Sequence, residues 1–95
     1  MSVRRIDRVQ LARLLDVEEG FIVELEQREI VVRDADGRFD IRAVERVRVC
    51  WTMQRTFDVN MPGIEVVLDL LERWQSERRR VRELLAELKH ERDET

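Results

Sequence analysis

Apolar residues recur at helical spacing in four stretches of this chain. Leu11, Leu14 and Leu15 give one face to a short first stretch. Asp7 followed by Gln10 has the pattern of a capping box, in which a carboxylate and an amide cover the orphan N–H groups of a first turn. Together they predict a helix from roughly Arg8 to Leu15, broken at Asp16-Val17. A second helix carries Phe21, Ile22 and Leu25 inward and Glu18, Glu19, Glu24, Glu26 and Gln27 mostly outward. A third is capped by Asp40 and has Ile41, Val44, Val47 and Trp51 on its core side. Between the second and third helices the period changes. Ile30-Val31-Val32-Arg33, Asp34-Ala35-Asp36-Gly37 and Arg38-Phe39 read as a small β-hairpin, with Asp-Gly supplying the positive φ of its turn.

The fourth stretch is the longest. Asn60-Met61-Pro62-Gly63 marks its start, with an Asn cap and a proline in the first turn, where a missing N–H costs little. Beyond it Val67, Leu71, Trp74, Arg78, Val81, Leu85 and Leu88 alternate by four and three, the spacing of a coiled-coil seam with one charged interruption. Such a seam at the end of a small domain lacks a partner in its own chain, so a second copy is expected. An antiparallel homodimer is favoured, because Arg78 near the middle then meets acidic flanks such as Glu77 or Glu83. The alternative is a helix folded back on its own domain. The expected organisation is a helix-turn-helix-like domain over 1–60 and a dimerisation helix over 61–95.

Composition agrees with this reading. A chain of 95 residues supports one modest core. Its 41% charged and 43% apolar residues suit amphipathic helices with ion-paired outer faces better than disorder or a β-sandwich. A single cysteine excludes an internal disulfide. With no apolar run of signal-peptide or membrane-spanning character, the expected setting is the cytoplasm, away from membranes.

The net charge of −3 hides an asymmetry. Met1 to Leu15 hold four arginines (Arg4, Arg5, Arg8 and Arg13) against Asp7, whereas Asp16 to Glu29 hold six acids against Arg28. The sign therefore reverses inside one predicted helix-turn-helix unit, which is the main functional clue. Candidate chemistry is sparse. Cys50 reads as a small core residue and His90 as a solvated one; forty residues apart, they make no metal cluster. Phosphate-binding glycine loops and nucleophile–base pairs are missing, and the carboxylates lie among arginines as solvated ion pairs. The expectation is a non-enzyme without cofactor, metal or catalytic residues.

The order of elements resembles the MerR-type winged helix-turn-helix: mainly α, with a small hairpin wing and a long C-terminal coiled-coil helix. Ala12-Arg13-Leu14-Leu15-Asp16-Val17 is similar to that family's opening, and Glu26-Gln27-Arg28-Glu29-Ile30 to the end of its second helix. Arg38-Phe39 stands where the family closes its wing with Arg-Tyr. Within the superfamily the chain looks like the chaperone-modulator branch, the CbpM-type proteins. The matching stretches are Val17-Glu18-Glu19, Arg38-Phe39-Asp40 and Met61-Pro62-Gly63-Ile64-Glu65-Val66-Val67-Leu68, with Met61 in place of that branch's Trp.

This resemblance implies a partner: the J-domain of a DnaJ- or CbpA-like co-chaperone, bound so that it no longer stimulates Hsp70. DNA-reading MerR proteins carry Arg, Thr, Arg and Tyr in the second helix, where this chain has Gly20, Phe21, Val23 and Glu24. An acidic helix in a major groove forgoes counterion release and faces phosphate repulsion. The same helix suits a basic protein surface, with charge giving rate and specificity and a few apolar anchors giving affinity. Glu18, Glu19, Val23, Glu24 and Glu26 are the candidate contacts. The bland reading is that these glutamates form an ordinary solvated face. The runner-up is a DNA-binding transcriptional regulator using Arg33, Arg38 and the N-terminal arginines, and a third reading is a plain coiled-coil scaffold.

Overall fold

The computed structural model describes residues 5–94 and has four helices in the order α1 (Arg8–Leu15), α2 (Glu19–Gln27), α3 (Ile41–Phe57) and α4 (Met61–Glu94). Two compact units divide it, Met1–Met61 and Pro62–Thr95. In the first, α1 opens with the expected capping box: the Asp7 carboxylate accepts from Gln10 N–H at 2.8 Å, and the Gln10 amide oxygen accepts from Asp7 N–H at 3.0 Å. Asp40 caps α3 by accepting from Ala43 N–H at 2.9 Å.

The chain leaves all three helices of this unit through acidic residues with positive φ. Asp16 (53°) and Asp58 (53°) are the C-caps of α1 and α3, and Glu29 (58°) lies just past α2. This conformation strains ordinary L-residues and normally favours glycine, with Asp tolerated better than most. After Glu29, Ile30 donates to the Leu25 carbonyl at 2.9 Å, which swings Ile30 and Val31 into the core. Leu11, Val17, Phe21, Ile22, Leu25, Phe39, Val47 and Cys50 are buried with them.

Two expectations need correction. No strand forms among the described residues, so the hairpin wing over residues 30–39 is absent. A tight turn does form: Gly37, at φ 76°, donates to the Asp34 carbonyl, and Asp34 N–H donates to the Arg38 carbonyl. The reciprocal bond of a hairpin ladder is diverted, however. Arg38 N–H donates to the Asp34 carboxylate at 3.0 Å, and Asp36 N–H shares that same oxygen at 2.9 Å. Phe39 then pairs with Ile6 through bonds of 2.7 and 3.1 Å, an isolated antiparallel bridge. The second correction concerns α3. Its buried stripe is Ala43, Val47, Cys50 and Met53, spaced by four, three and three. Ile41 lies on the far side, 55% exposed, with Val44 and Trp51 half-buried at the margins.

Within α4, Met61, Ile64 and Leu68 are buried, and every described side chain from Asp69 to Asp93 is exposed. Pro62 occupies the first turn, where its missing N–H is harmless.

Candidate partner-binding site

The candidate site is built on α2. Phe21, Ile22 and Leu25 face the core, so at 100° per residue the outermost line of the helix is Gly20, Val23 and Gln27. Gly20 and Gln27 are exposed and Val23 is half-buried. A Cβ added at Gly20 would meet nothing within 4 Å, so the helix presents bare backbone to solvent there. Acids flank this line on both sides: Glu19 and Glu26 on one, Glu24 on the other, with Glu18 at the N-cap. Glu18 and Glu19 sit at the positive end of the helix dipole, which favours carboxylates.

The four glutamates differ in their surroundings. Glu26 has a side chain only 15% exposed and is held by two arginines. Arg8 of α1 donates to it from Nε at 2.9 Å and from Nη2 at 3.4 Å, and Arg33 Nε lies 2.8 Å from its second oxygen. Hydrogen bonding to Glu26 raises the Arg8 guanidinium above its ordinary pKa against the opposing effect of burial, with the charges of Glu26 and Glu19 adding to it. Glu19 is 4.0 Å from Arg8, and Glu24 is 3.7 Å from Arg28 one turn on. Glu18 is exposed. The sequence suggested four equivalent acids. In the folded chain Glu26 is a cross-link between α1, α2 and the following loop, while Glu18, Glu19 and Glu24 remain on the surface.

Phe21 cannot serve as a reading residue in a DNA groove. It is buried at 6% and packs edge-on against Trp51 of α3, with centroids 5.0 Å apart at 68°. Arg55 lies over the Trp51 ring at 5.6 Å. The basic residues are interleaved with acids: Arg5, Arg33 and Arg38 line one shallow concavity together with Asp34 and Asp40. Arg5 pairs with Asp34 at 3.1 Å, Arg13 and Arg38 are exposed, and Arg4 lies outside the described residues. The Asp34 carboxyl is held below its ordinary pKa, chiefly by the Arg38 N–H, with further help from Asp36 N–H and the Arg5 charge.

In α4, Val67 is half-buried, whereas Leu71, Trp74, Arg78, Val81, Leu85 and Leu88 are exposed. Val66, Leu70 and Leu84 extend the apolar stripe and are exposed too. Leu70 and Leu84 repeat at fourteen residues, beside the strict four–three alternation of the seam and legible in the sequence. Arg78 lies over the Trp74 ring at 4.7 Å, and Arg73 pairs with Asp69 at 3.0 Å.

Cys50 has no solvent-accessible surface, and burial pushes its thiol up to about 11 against the opposing charge of Arg46. It is a packing residue with little thiolate at neutral pH. His90 is exposed on α4. Among the described residues no group of three His, Cys, Asp or Glu side chains is arranged to hold a metal ion, and no helix is long and apolar enough to cross a membrane.

A capped short helix, a tight break and a second helix packed on the first, followed by a turn and a third helix, define a helix-turn-helix unit. Residues 6–86 match the model of the MerR HTH family regulatory proteins, which covers the helix-turn-helix unit and most of α4. The chain belongs to that family. No curated protein and no solved structure gives a match.

Proposed function

We propose that this chain is a chaperone modulator of the CbpM type within the MerR-like superfamily. In this reading it binds the J-domain of a DnaJ-like co-chaperone through the α2 face and so blocks stimulation of Hsp70. The observation that carries the reading is the form of that face: a low line of Gly20, Val23 and Gln27 bordered by Glu18, Glu19 and Glu24. The bare backbone at Gly20 permits close approach of a partner helix, and Val23 offers an apolar anchor. The acids on either side select a basic partner and repel a phosphate backbone. Competition alone accounts for inhibition, with no chemistry required of this protein.

The test is binding of an isolated J-domain, followed by the ATPase rate of its Hsp70. Reversing Glu18, Glu19 and Glu24 to Lys should slow association, more at low salt than at high, with helical content unchanged. Glu26 is left intact because its reversal would set three cations together. The proposal fails if no J-domain binds, or if the triple variant binds as well as the original at low salt.

The α4 stripe supports antiparallel homodimerisation in the same reading. About a dyad between Glu77 and Arg78 the sequence is self-complementary: Val67 falls level with Leu88, Leu70 with Leu85, Leu71 with Leu84, and Trp74 with Val81. At the centre Glu77 of each copy meets Arg78 of the other. A parallel, in-register pair would instead place Arg78 against Arg78 and Trp74 against Trp74. Residues 1–60 then supply the interaction domain and residues 61–95 the dimer.

A DNA-binding regulator is the second reading, favoured by the exposed Arg38 and Arg13 and by the regulatory character of the family. It predicts duplex binding that weakens steeply with salt and is lost on Arg33→Ala with Arg38→Ala.

A further inference from the structure

The group formed by Arg8, Glu26 and Arg33 has the form of an anion site already filled. Arg8 projects from the first turn of α1, Arg33 from the loop after α2, and both converge on one carboxylate carried by the last turn of α2. Both carboxylate oxygens are used, by Nε and Nη2 of Arg8 and by Nε of Arg33. Two guanidinium groups meeting at one anionic centre is the arrangement by which arginines grip a phosphate. The two cations are not sunk in the core: the Arg33 side chain is 42% exposed and that of Arg8 is 27% exposed.

We propose that Glu26 is a specificity-determining residue, an internal stand-in for phosphate that keeps Arg8 and Arg33 off nucleic acid and reserves this face for a cationic protein partner. The proposal rests on the reading that the partner is a basic protein, and it adds how the opposite class of partner is refused. With Glu26 present, Arg8, Arg33, Glu26 and Glu19 sum to zero charge. Without it the same cluster carries one net positive charge, and Arg33 loses the pair that holds it. The exclusion of DNA is then a property of one carboxylate at the end of α2 as well as of the acids on its outer face.

The experiment is duplex DNA binding by the full chain, followed by anisotropy of a short fluorescent duplex over a salt series. Glu26→Gln should bind at least about tenfold more tightly than the parent at low salt. Two recovered phosphate contacts should steepen the dependence of log K on log salt by about 2. Glu24→Gln removes the same formal charge from a surface pair with Arg28 and frees no converging pair of arginines, so its gain should fall clearly short of that of Glu26→Gln, without the steeper salt dependence. Adding Arg8→Ala and Arg33→Ala to Glu26→Gln should abolish the gain. If Glu26→Gln loses helical content, Glu26→Ala, with the best helix propensity, is the second variant. The inference is overturned if every folded Glu26 variant binds DNA no better than Glu24→Gln. That result leaves J-domain binding untouched, whereas failure of the J-domain to bind overturns the proposed function whatever the DNA result.

Discussion

The first unit and the long helix α4 carry equally regular apolar patterns, yet only one of them is satisfied within the chain. In the first unit Leu11, Ile22, Leu25, Phe39, Val47 and Cys50 have no exposed surface, and even the loop after α2 turns Ile30 and Val31 inward. In α4 the stripe from Leu70 to Leu88 is open, with Trp74 at 55% and Leu88 at 57% exposure. Periodicity identifies which face of a helix is to be buried, but it does not say against what. Monomeric proteins rarely leave a contiguous apolar patch of this length exposed, which supports the dimer proposed for α4. On the proposed dimer reading the two regions should depend on protein concentration differently: the first closes within the chain, and the second is covered by association.

Breaking the stripe gives the largest expected effect. Replacing Trp74 by Glu removes a large apolar contact from each copy of the proposed antiparallel pair and sets a carboxylate against the level of Val81. Burial of one such side chain is worth about 1.5–3 kcal/mol. Counted twice, the loss is roughly 3–6 kcal/mol, or about a hundred- to ten-thousandfold in Kd. Sedimentation should show a dimer for the original and a monomer for the variant at the same micromolar concentration. A full-length protein that is already monomeric there would remove the basis of the comparison.

A core substitution in the first unit sharpens the contrast. Leu25→Ala empties a fully buried position on the inward face of α2 and should cost about 2–5 kcal/mol. The loss of Tm should be the same at high and low protein concentration when the transition of the first unit is followed, for instance through Trp51. The loss caused by Trp74→Glu should shrink as the protein is diluted, because dilution already dissociates the original. A concentration-dependent penalty for Leu25→Ala would mean that the core of the first unit is completed by association.

Much of this architecture was legible in the chain. The Asp7–Gln10 and Asp40 caps fixed two helix starts, because local side chain-to-backbone bonds involve residues three apart and can be read by inspection. The inward face of α2 followed from Phe21, Ile22 and Leu25 for the same local reason. The hairpin was misread because Asp34 contributes a carboxylate as well as a carbonyl. That side chain took the Arg38 and Asp36 N–H groups, and Phe39 paired with Ile6, thirty-three residues away. Turn chemistry at Asp36-Gly37 was right, but a turn does not oblige its flanks to form a ladder. On α3, Ile41 looked like a core residue from its type alone, although the stripe set by Val47 and Cys50 places it on the opposite side.

The candidate site was only half legible. Its acidic character is a matter of counting charges, but the inequality of the four glutamates is not. Glu26 differs from Glu24 because Arg8, eighteen residues back, and Arg33, seven residues on, reach the same carboxylate. No spacing rule on a single helix contains that information; it comes from the way α1 packs on α2 and from the loop leaving α2.

The smallest effect tests the closed unit by titration. Burial lifts the Cys50 thiol from its ordinary value near 9.0 to about 11, because the thiolate would have to form in an apolar interior. In the unfolded chain the thiol ionises at the ordinary value, so above that pH the unfolded state holds fewer protons than the folded one. Stability should therefore be unaffected by this group below about pH 9 and decline as the pH rises toward about 11. Cys50→Ala removes the titration and should flatten that part of the stability–pH curve, after allowance for a uniform loss from the smaller side chain. The difference between the two curves isolates the thiol from every other group of the chain, since those are the same in both proteins. It should also be independent of protein concentration, since Cys50 belongs to the unit that closes on itself. Parallel curves through this window would show that water reaches Cys50 in the folded protein, and the first unit would then be less tightly closed than its buried stripe implies.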